Sequence, residues 1–207
     1  MKVRTKARRD AIVEEAALLF QEMGYERASM NELVKRIGGS KATLYRYFPS
    51  KEALFVAVVR EHATQHLTEA AEGLMIDAQT FTLEQTLMRF AERKLQVVAN
   101  DNSAIAVYRM VVAESGNSDI GTLFYDAGIR ESVTKLSELM AIAMERKELH
   151  LADPHLRALQ FLSLLTAEVD MRVYQRQLTP LSTPQIQEMV CHAVHMFLNG
   201  AAFRDNG

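Results

Sequence analysis

The stretch Ser29-Met-Asn-Glu-Leu-Val-Lys-Arg-Ile-Gly-Gly-Ser40-Lys-Ala-Thr-Leu-Tyr45-Arg-Tyr-Phe-Pro-Ser-Lys51-Glu-Ala-Leu54 decides the fold. Ser29, with Glu32 three residues later, reads as a capping box that starts a helix at Met30. Leu33, Val34 and Ile37 fall on one face of that helix, and Gly38-Gly39 stops it after about two turns. Ser40 caps a second short helix whose Leu44 and Phe48 point inward. Pro49 ends it, and Ser50 caps a third. This is the layout of a helix-turn-helix, whose second helix lies in the major groove of DNA.

The charges point the same way. Lys41 and Lys51 each fall in the first turn of a helix, where the macrodipole disfavours a cation. The placement makes sense if an anion docks there, because backbone amides and a lysine then converge on one phosphate. Tyr45 and Tyr47 are separated by about 200° around the helix, so at least one hydroxyl is available to a phosphate oxygen. Lys41, Ala42 and Thr43 open the helix where base-reading side chains sit: Lys41 suits a guanine edge or a phosphate, and Ala42 and the Thr43 methyl suit thymine methyls. The plainer reading makes all three ordinary surface residues. Arg46 faces outward and fits either. Lys2, Arg4 and Lys6 form a basic arm suited to a minor groove, or equally a solvated tail.

At these residues the chain resembles the TetR family of transcriptional regulators. The family motif runs loosely Thr/Ser-x-x-x-Ile-Ala-x-x-Ala-Gly-Val-Ser-x-x-x-Leu-Tyr-x-Tyr/His-Phe-x-x-Lys-x-x-Leu. Ser29, Leu33, Gly38, Ser40, Leu44, Tyr45, Tyr47, Phe48, Lys51 and Leu54 fill its places. Two residues depart: Gly39 replaces the usual Val and is expected to loosen the turn, and Ile37 replaces Ala and is expected to repack against the first helix. The resemblance implies a DNA-contacting set of Ser29, Ser40, Lys41, Ala42, Thr43, Tyr45, Arg46, Tyr47 and Lys51. Further on, Tyr108-Arg-Met-Val-Val-Ala-Glu-Ser115 and Phe124-Tyr125-Asp-Ala-Gly128 resemble the AefR-like subgroup. That family pairs the head with a variable helical bundle, which binds a small effector and dimerises through its last two long helices.

Bulk properties set the outer bounds. A chain of 207 residues, 48% apolar, can bury a sizeable core. Net charge is only −2, but residues 1–60 hold 12 Lys/Arg against 7 Asp/Glu, while residues 61–207 hold 12 against 19. A basic head on an acidic body suits a protein that meets phosphate with one end. A single cysteine, Cys191, excludes an intramolecular disulfide framework and suits a reducing cytoplasm. No signal peptide or membrane-spanning apolar run is read.

Almost every segment has helical periodicity, predicting an all-α chain of about nine helices. The expected spans are Lys6–Met23, the motif helices, a connector helix from Lys51 to about Glu72 that breaks at Gly73, Thr82–Ala99, a helix to Ser115, Ile120–Arg146, Asp153–Gln177 and Thr183–Gly200. The inward stripes are Ile12, Ala16, Leu19 and Phe20 in the first helix, and Leu54, Phe55, Val58, Val59 and Leu67 in the connector. Residues 1–50 form the helix-turn-helix domain, and residues 51–207 the effector-binding and dimerisation domain. The rows Leu159, Leu162, Leu165, Val169 and Ile186, Val190, Val194, Phe197 supply the seam between protomers, with part of each row facing its own core.

Other candidates carry less. His62 and His66 have metal-compatible spacing, yet neither cysteine nor carboxylate completes a set, so surface or interdomain histidines is the better reading, as it is for His192 and His195. Neither a metal nor a cofactor is expected. No nucleophile elbow, phosphate loop or HExxH occurs, so no enzyme is expected. Met88, Met110, Met140, Met144 and Met171 could line an adaptable apolar pocket or fill an ordinary core. Tyr108, Tyr125 and Glu168 are the sharper ligand candidates, although Glu168 with Arg172 four residues on also reads as a plain helical ion pair. The expected function is a cytoplasmic, homodimeric, ligand-responsive regulator, a repressor released from a near-palindromic operator by a small, largely apolar effector that moves the connector helix. The rival is a helical ligand carrier or enzyme that has kept the fold and lost DNA binding.

Overall fold

The computed structural model describes residues 5–201, apart from the side chains of His66 and Leu67. Lys2 and Arg4 of the basic arm, with those two side chains, therefore lie outside the described residues. In chain order the helices are α1 (Lys6–Met23), α2 (Met30–Ile37), α3 (Lys41–Tyr47), α4 (Lys51–Val59), a π turn (Arg60–Thr64), α5 (Gln65–Thr80), α6 (Leu83–Asn100), α7 (Asn102–Glu114), α8 (Ile120–Phe124), a second π turn (Tyr125–Ile129), α9 (Arg130–Glu145), α10 (Pro154–Thr166), a 3-10 segment (Asp170–Tyr174) and α11 (Thr183–Ala201). Counting a π-interrupted run as one helix, the described residues hold nine α-helical runs and no strand. The fold is all-α, with a helix-turn-helix at its amino-terminal end.

The chain forms two compact units: Met1–Gln65 with Asn102–Ala127, and His66–Asp101 with Gly128–Gly207. In the first, Ile12, Ala16, Leu19 and Phe20 of α1 are buried with Leu33 of α2, Leu44 of α3 and Leu54, Phe55, Val58 and Val59 of α4. Phe20, Tyr25 and Phe55 form a ring cluster with centroids 5.1–5.9 Å apart. The second unit is cored by Leu87, Phe90 and Leu95 of α6, Leu136 and Met140 of α9, Phe161 of α10 and Val190, Val194 and Phe197 of α11. Each such side chain contributes about 1.5–3 kcal/mol on burial.

Several boundaries differ from those the sequence predicts. The connector does not break at Gly73: the run from Lys51 continues to Thr80. Gly73 is instead the place where Arg93 of α6 crosses, because a Cβ there would stand 2.6 Å from its guanidinium. The run is also altered from within. The π turn moves its backbone bonds from i+4 to i+5, and the fully buried Thr64 hydroxyl lies 3.5 Å from the Val59 carbonyl and 3.4 Å from that of Ala127 in the second π turn. The helix opened by Asp153 and Pro154 ends at Thr166 and not near Gln177, and only the 3-10 segment follows. Ser182, rather than Thr183, caps α11, trading bonds with Gln185.

The seam rows are also corrected in part. Leu165, Val169, Ile186, Val190, Val194 and Phe197 are all buried within their own unit. Of the two rows, Leu159 stays exposed and Leu162 is partly buried, and outside them Leu156 and Met196 are exposed on α10 and α11. Buried and interfacial positions carry the same residue types, so only packing separates them.

Candidate nucleic-acid interface

The interface is set by three capped helix starts. Ser29 accepts the Glu32 amide at 3.1 Å, Ser40 that of Thr43 at 3.1 Å, and Ser50 that of Ala53 at 3.1 Å. The box at Ser29 is half formed, since the Glu32 carboxylate bonds Lys35 at 3.0 Å. Between α2 and α3 the chain turns through Gly38 (φ 66°) and Gly39 (φ 102°), left-handed values that glycine alone adopts without strain. Gly39 is thus required by the turn, not merely tolerated in it. Arg8 of α1 closes the carboxyl end of α2, donating to the carbonyls of Ile37 (3.0 Å) and Gly38 (2.7 Å). Arg36 pairs with Glu22 at 2.6 Å and Glu15 at 3.5 Å, tying α2 to α1.

With α2 and α3 held, α3 presents one face. Leu44 and Phe48 are buried, Lys41, Ala42, Tyr45 and Arg46 are exposed, and Thr43 and Tyr47 are half-buried. The Lys41 ammonium lies 5.7 Å from the Tyr45 ring centre. The Thr43 hydroxyl is 2.9 Å from that of Ser40. The Tyr47 hydroxyl accepts the Thr5 amide at 3.2 Å, which leaves its own proton to donate. Lys6, in the first turn of α1, is exposed.

Lys51 stands differently from the others. Its ammonium donates to the carbonyls of Tyr25 (3.0 Å) and Glu26 (3.3 Å) and sits 4.2 Å above the Tyr25 ring. The amides of the same two residues are held by Glu114. Burial, then the charges of Glu52 and Glu26, push the Tyr25 phenol up to about 12. The hydroxyl of Ser50, first of several hydrogen bonds, holds the Glu52 carboxyl below its ordinary range. Sequence reasoning missed Arg8, Glu114 and this second use of Lys51. No local signal marks them, since each partner is at least 25 residues away in the chain.

The ligand candidates fall in different units. Tyr108 of α7 is 46% exposed, with its ring 6.1 Å from that of Phe124, and Tyr125 is half-buried in the second π turn. Glu168 lies past the end of α10, in the second unit. Its partner is His192 at 3.2 Å, not the expected Arg172, which donates instead to the carbonyls of Ala99 and Thr179. His195 meets Glu84 at 3.1 Å, and His62 meets Glu14 at 3.5 Å. Met110, Met140 and Met144 are buried, while Met171 is 68% exposed. Among the described residues no three His, Cys, Asp or Glu are gathered as metal ligands, and no helix is long and apolar enough to cross a membrane.

Two capped helices joined by a left-handed glycine turn, the second with a polar, basic outer face, define a helix-turn-helix protein. Comparison with known proteins narrows this. Residues 12–58 match the model of bacterial regulatory proteins of the TetR family, and residues 85–200 that of the AefR-like transcriptional repressor carboxy-terminal domain. The chain belongs to the TetR family of transcriptional regulators. Among curated relatives, the nucleoid occlusion factor SlmA of Haemophilus influenzae is 34% identical over 80 residues, 37% of each chain. The transcriptional repressor AcnR of Corynebacterium diphtheriae is 36% identical over 70 residues, 34% of this chain and 37% of that one. The match thus spans little more than a third of either relative. Among solved structures, a TetR-family regulator from Mesorhizobium loti superposes with a TM-score of 0.78 at 22% identity, covering 97% of this chain and 100% of that one. The flavonoid-responsive regulator FrrA superposes with a TM-score of 0.73 at 29% identity over the same shares.

Proposed function

We propose that this chain is a homodimeric, sequence-specific DNA-binding regulator, a repressor released from a near-palindromic operator by a small, largely apolar effector. The observation that carries the reading is the division of α3: Leu44 is buried, while Lys41, Ala42, Tyr45 and Arg46 face outward behind an amino terminus capped by Ser40. That face fits a major groove, with Lys41, Ala42 and Thr43 toward base edges and Ser29, Ser40, Tyr45, Arg46 and Tyr47 toward phosphates. Lys51 supports the same surface by fixing the start of α4. Residues 1–50 are the reading head, and residues 51–207 the sensing and pairing part.

A single recognition helix makes too few contacts for tight specific binding, so two heads on two half-sites are needed. The surface suited to pairing is the open groove of about 610 Å³ along α10 and α11, where Leu156, Leu159 and Met196 are exposed beside Gly200. A small-molecule effector is in keeping with the regulator FrrA, named flavonoid-responsive, at 29% identity. Such a ligand acts through its differential affinity for the operator-fitting and operator-misfitting head spacings. Titration of an arbitrary labelled duplex at rising salt tests the DNA reading. Affinity is expected to fall steeply with salt, by about 0.9 in log–log slope per phosphate neutralised. Absence of binding even at low salt would favour a carrier that has lost its head function.

A further inference from the structure

Glu114 is the last residue of α7, and both oxygens of its carboxylate are engaged across the chain. Oε1 accepts the amide of Tyr25 at 2.8 Å, and Oε2 accepts that of Glu26 at 3.1 Å. These two amides follow α1 and begin the turn into α2. Their carbonyls receive the Lys51 ammonium at 3.0 and 3.3 Å. A two-residue segment is therefore gripped on its donors by an anion from α7 and on its acceptors by a cation from α4. Charge-assisted bonds of this kind are the strong ones, and two from one carboxylate fix direction as well as distance.

The backbone is shaped to admit this carboxylate. Gly24 closes α1 at φ 77°, and a Cβ at that position would overlap Glu114 Oε1. The glycine thus serves the turn and the approach of the side chain together. The Tyr25 ring in turn packs against Phe20 of α1 and Phe55 of α4, with centroids 5.6 and 5.1 Å away. Fixing the Tyr25 backbone therefore also fixes the angle between α1 and α4, on which α2 and α3 are mounted.

We infer that Glu114 is a positioning residue for the DNA interface: from the end of α7 it sets the α1–α2 turn and, through Lys51, the start of α4. This rests on the regulator reading above. It adds a place where the orientation of the head is controlled from outside its own helices. The segment that carries Glu114 is also the first to rejoin the head's unit after the chain has run through the second, crossing at Asp101 and Asn102. A change felt in α7 thereby reaches the reading surface without passing along the connector helix.

The test uses full-length Glu114→Ala and Glu114→Gln, the second retaining one acceptor of similar shape. Three quantities are read: amide exchange at Tyr25 and Glu26, affinity for the selected operator, and the affinity ratio between that operator and one whose half-sites are moved apart by a single base pair. In Glu114→Ala, exchange of those two amides is expected to quicken by about tenfold or more, with α6 amides unchanged, and Glu114→Gln to fall between. Operator affinity is expected to drop, and the spacing ratio to move toward one. Simple loss of folded protein would lower both affinities and leave the ratio as it was. Wild-type exchange rates at Tyr25 and Glu26 in the variants would overturn the inference, as would an unchanged spacing ratio. A wild-type protein that binds no duplex at all would overturn the regulator reading itself, and this inference with it.

Discussion

Replacing Lys51 by Ala separates two roles for the residue that best marks the start of α4. As a phosphate contact, its loss would leave stability nearly unchanged and lower the salt dependence of DNA binding by about 0.9 in slope. The geometry gives a different outcome. Its ammonium makes two charge-assisted hydrogen bonds, at 3.0 and 3.3 Å, from a half-buried position. At about 1.5 kcal/mol each, halved for partial solvation, they come to about 1.5 kcal/mol. The cation 4.2 Å above the Tyr25 ring contributes about 0.5 kcal/mol more. Removing a cation from the first turn of a helix returns about 0.5 kcal/mol through the macrodipole. The net loss is about 1.5 kcal/mol, or about 3–6 °C in melting temperature for a chain of this size. Thermal denaturation followed by circular dichroism, with salt titration of DNA binding, reads both quantities on one preparation. A stable Lys51→Ala protein with a shallower salt slope would refute the turn-locking role.

Other substitutions address separate parts of the account. Tyr45→Ala is expected to weaken binding to all duplexes alike, as a phosphate contact should; a change confined to one base preference, seen in competition with point-substituted operators, would assign Tyr45 to base reading instead. Gly39→Val, which puts the family's usual residue at φ 102°, is expected to cost about 1–2 kcal/mol in urea unfolding, and an unchanged midpoint would show that the turn adapts. Leu159→Glu places a charge in the exposed α10–α11 groove and is expected to shift the protein from dimer to monomer in sedimentation, with an unaltered helical spectrum. The Tyr25 phenol is held up to about 12 from its ordinary 10, so the unfolded chain loses this proton first as pH rises. Its contribution is fully present below pH 10 and is lost as pH climbs toward 12. Melting curves of wild type and Tyr25→Phe should therefore diverge in slope across that window, and parallel curves would contradict the assignment.

What the sequence disclosed was what it encodes locally. Serines before α2, α3 and α4 and the glycine pair after Ile37 announce helix ends within a few residues, and each is seen in the structure. The exposed face of α3 was legible for the same reason, since Leu44 and Phe48 fix which side turns inward. Long-range pairings left no such mark. Nothing in the sequence pairs Lys51 with the carbonyls of Tyr25 and Glu26, or Glu114 with their amides. Gly73 resembled a helix stop because a glycine that makes room for Arg93 and one that ends a helix look alike in sequence. The division of the α10 and α11 rows between core and surface is hidden for the same reason: Leu165 and Val194 are as apolar as Leu159, and only packing assigns the first two to the core.

Selection of bound sequences from a random duplex pool, with the purified protein at moderate salt, tests the central claim most directly. The account predicts enrichment of a near-palindrome with half-sites about one helical turn apart, contacted by two copies of α3. A folded protein that enriches no sequence, or only a single unpaired half-site, would contradict the claim that this chain reads DNA as a specific dimer.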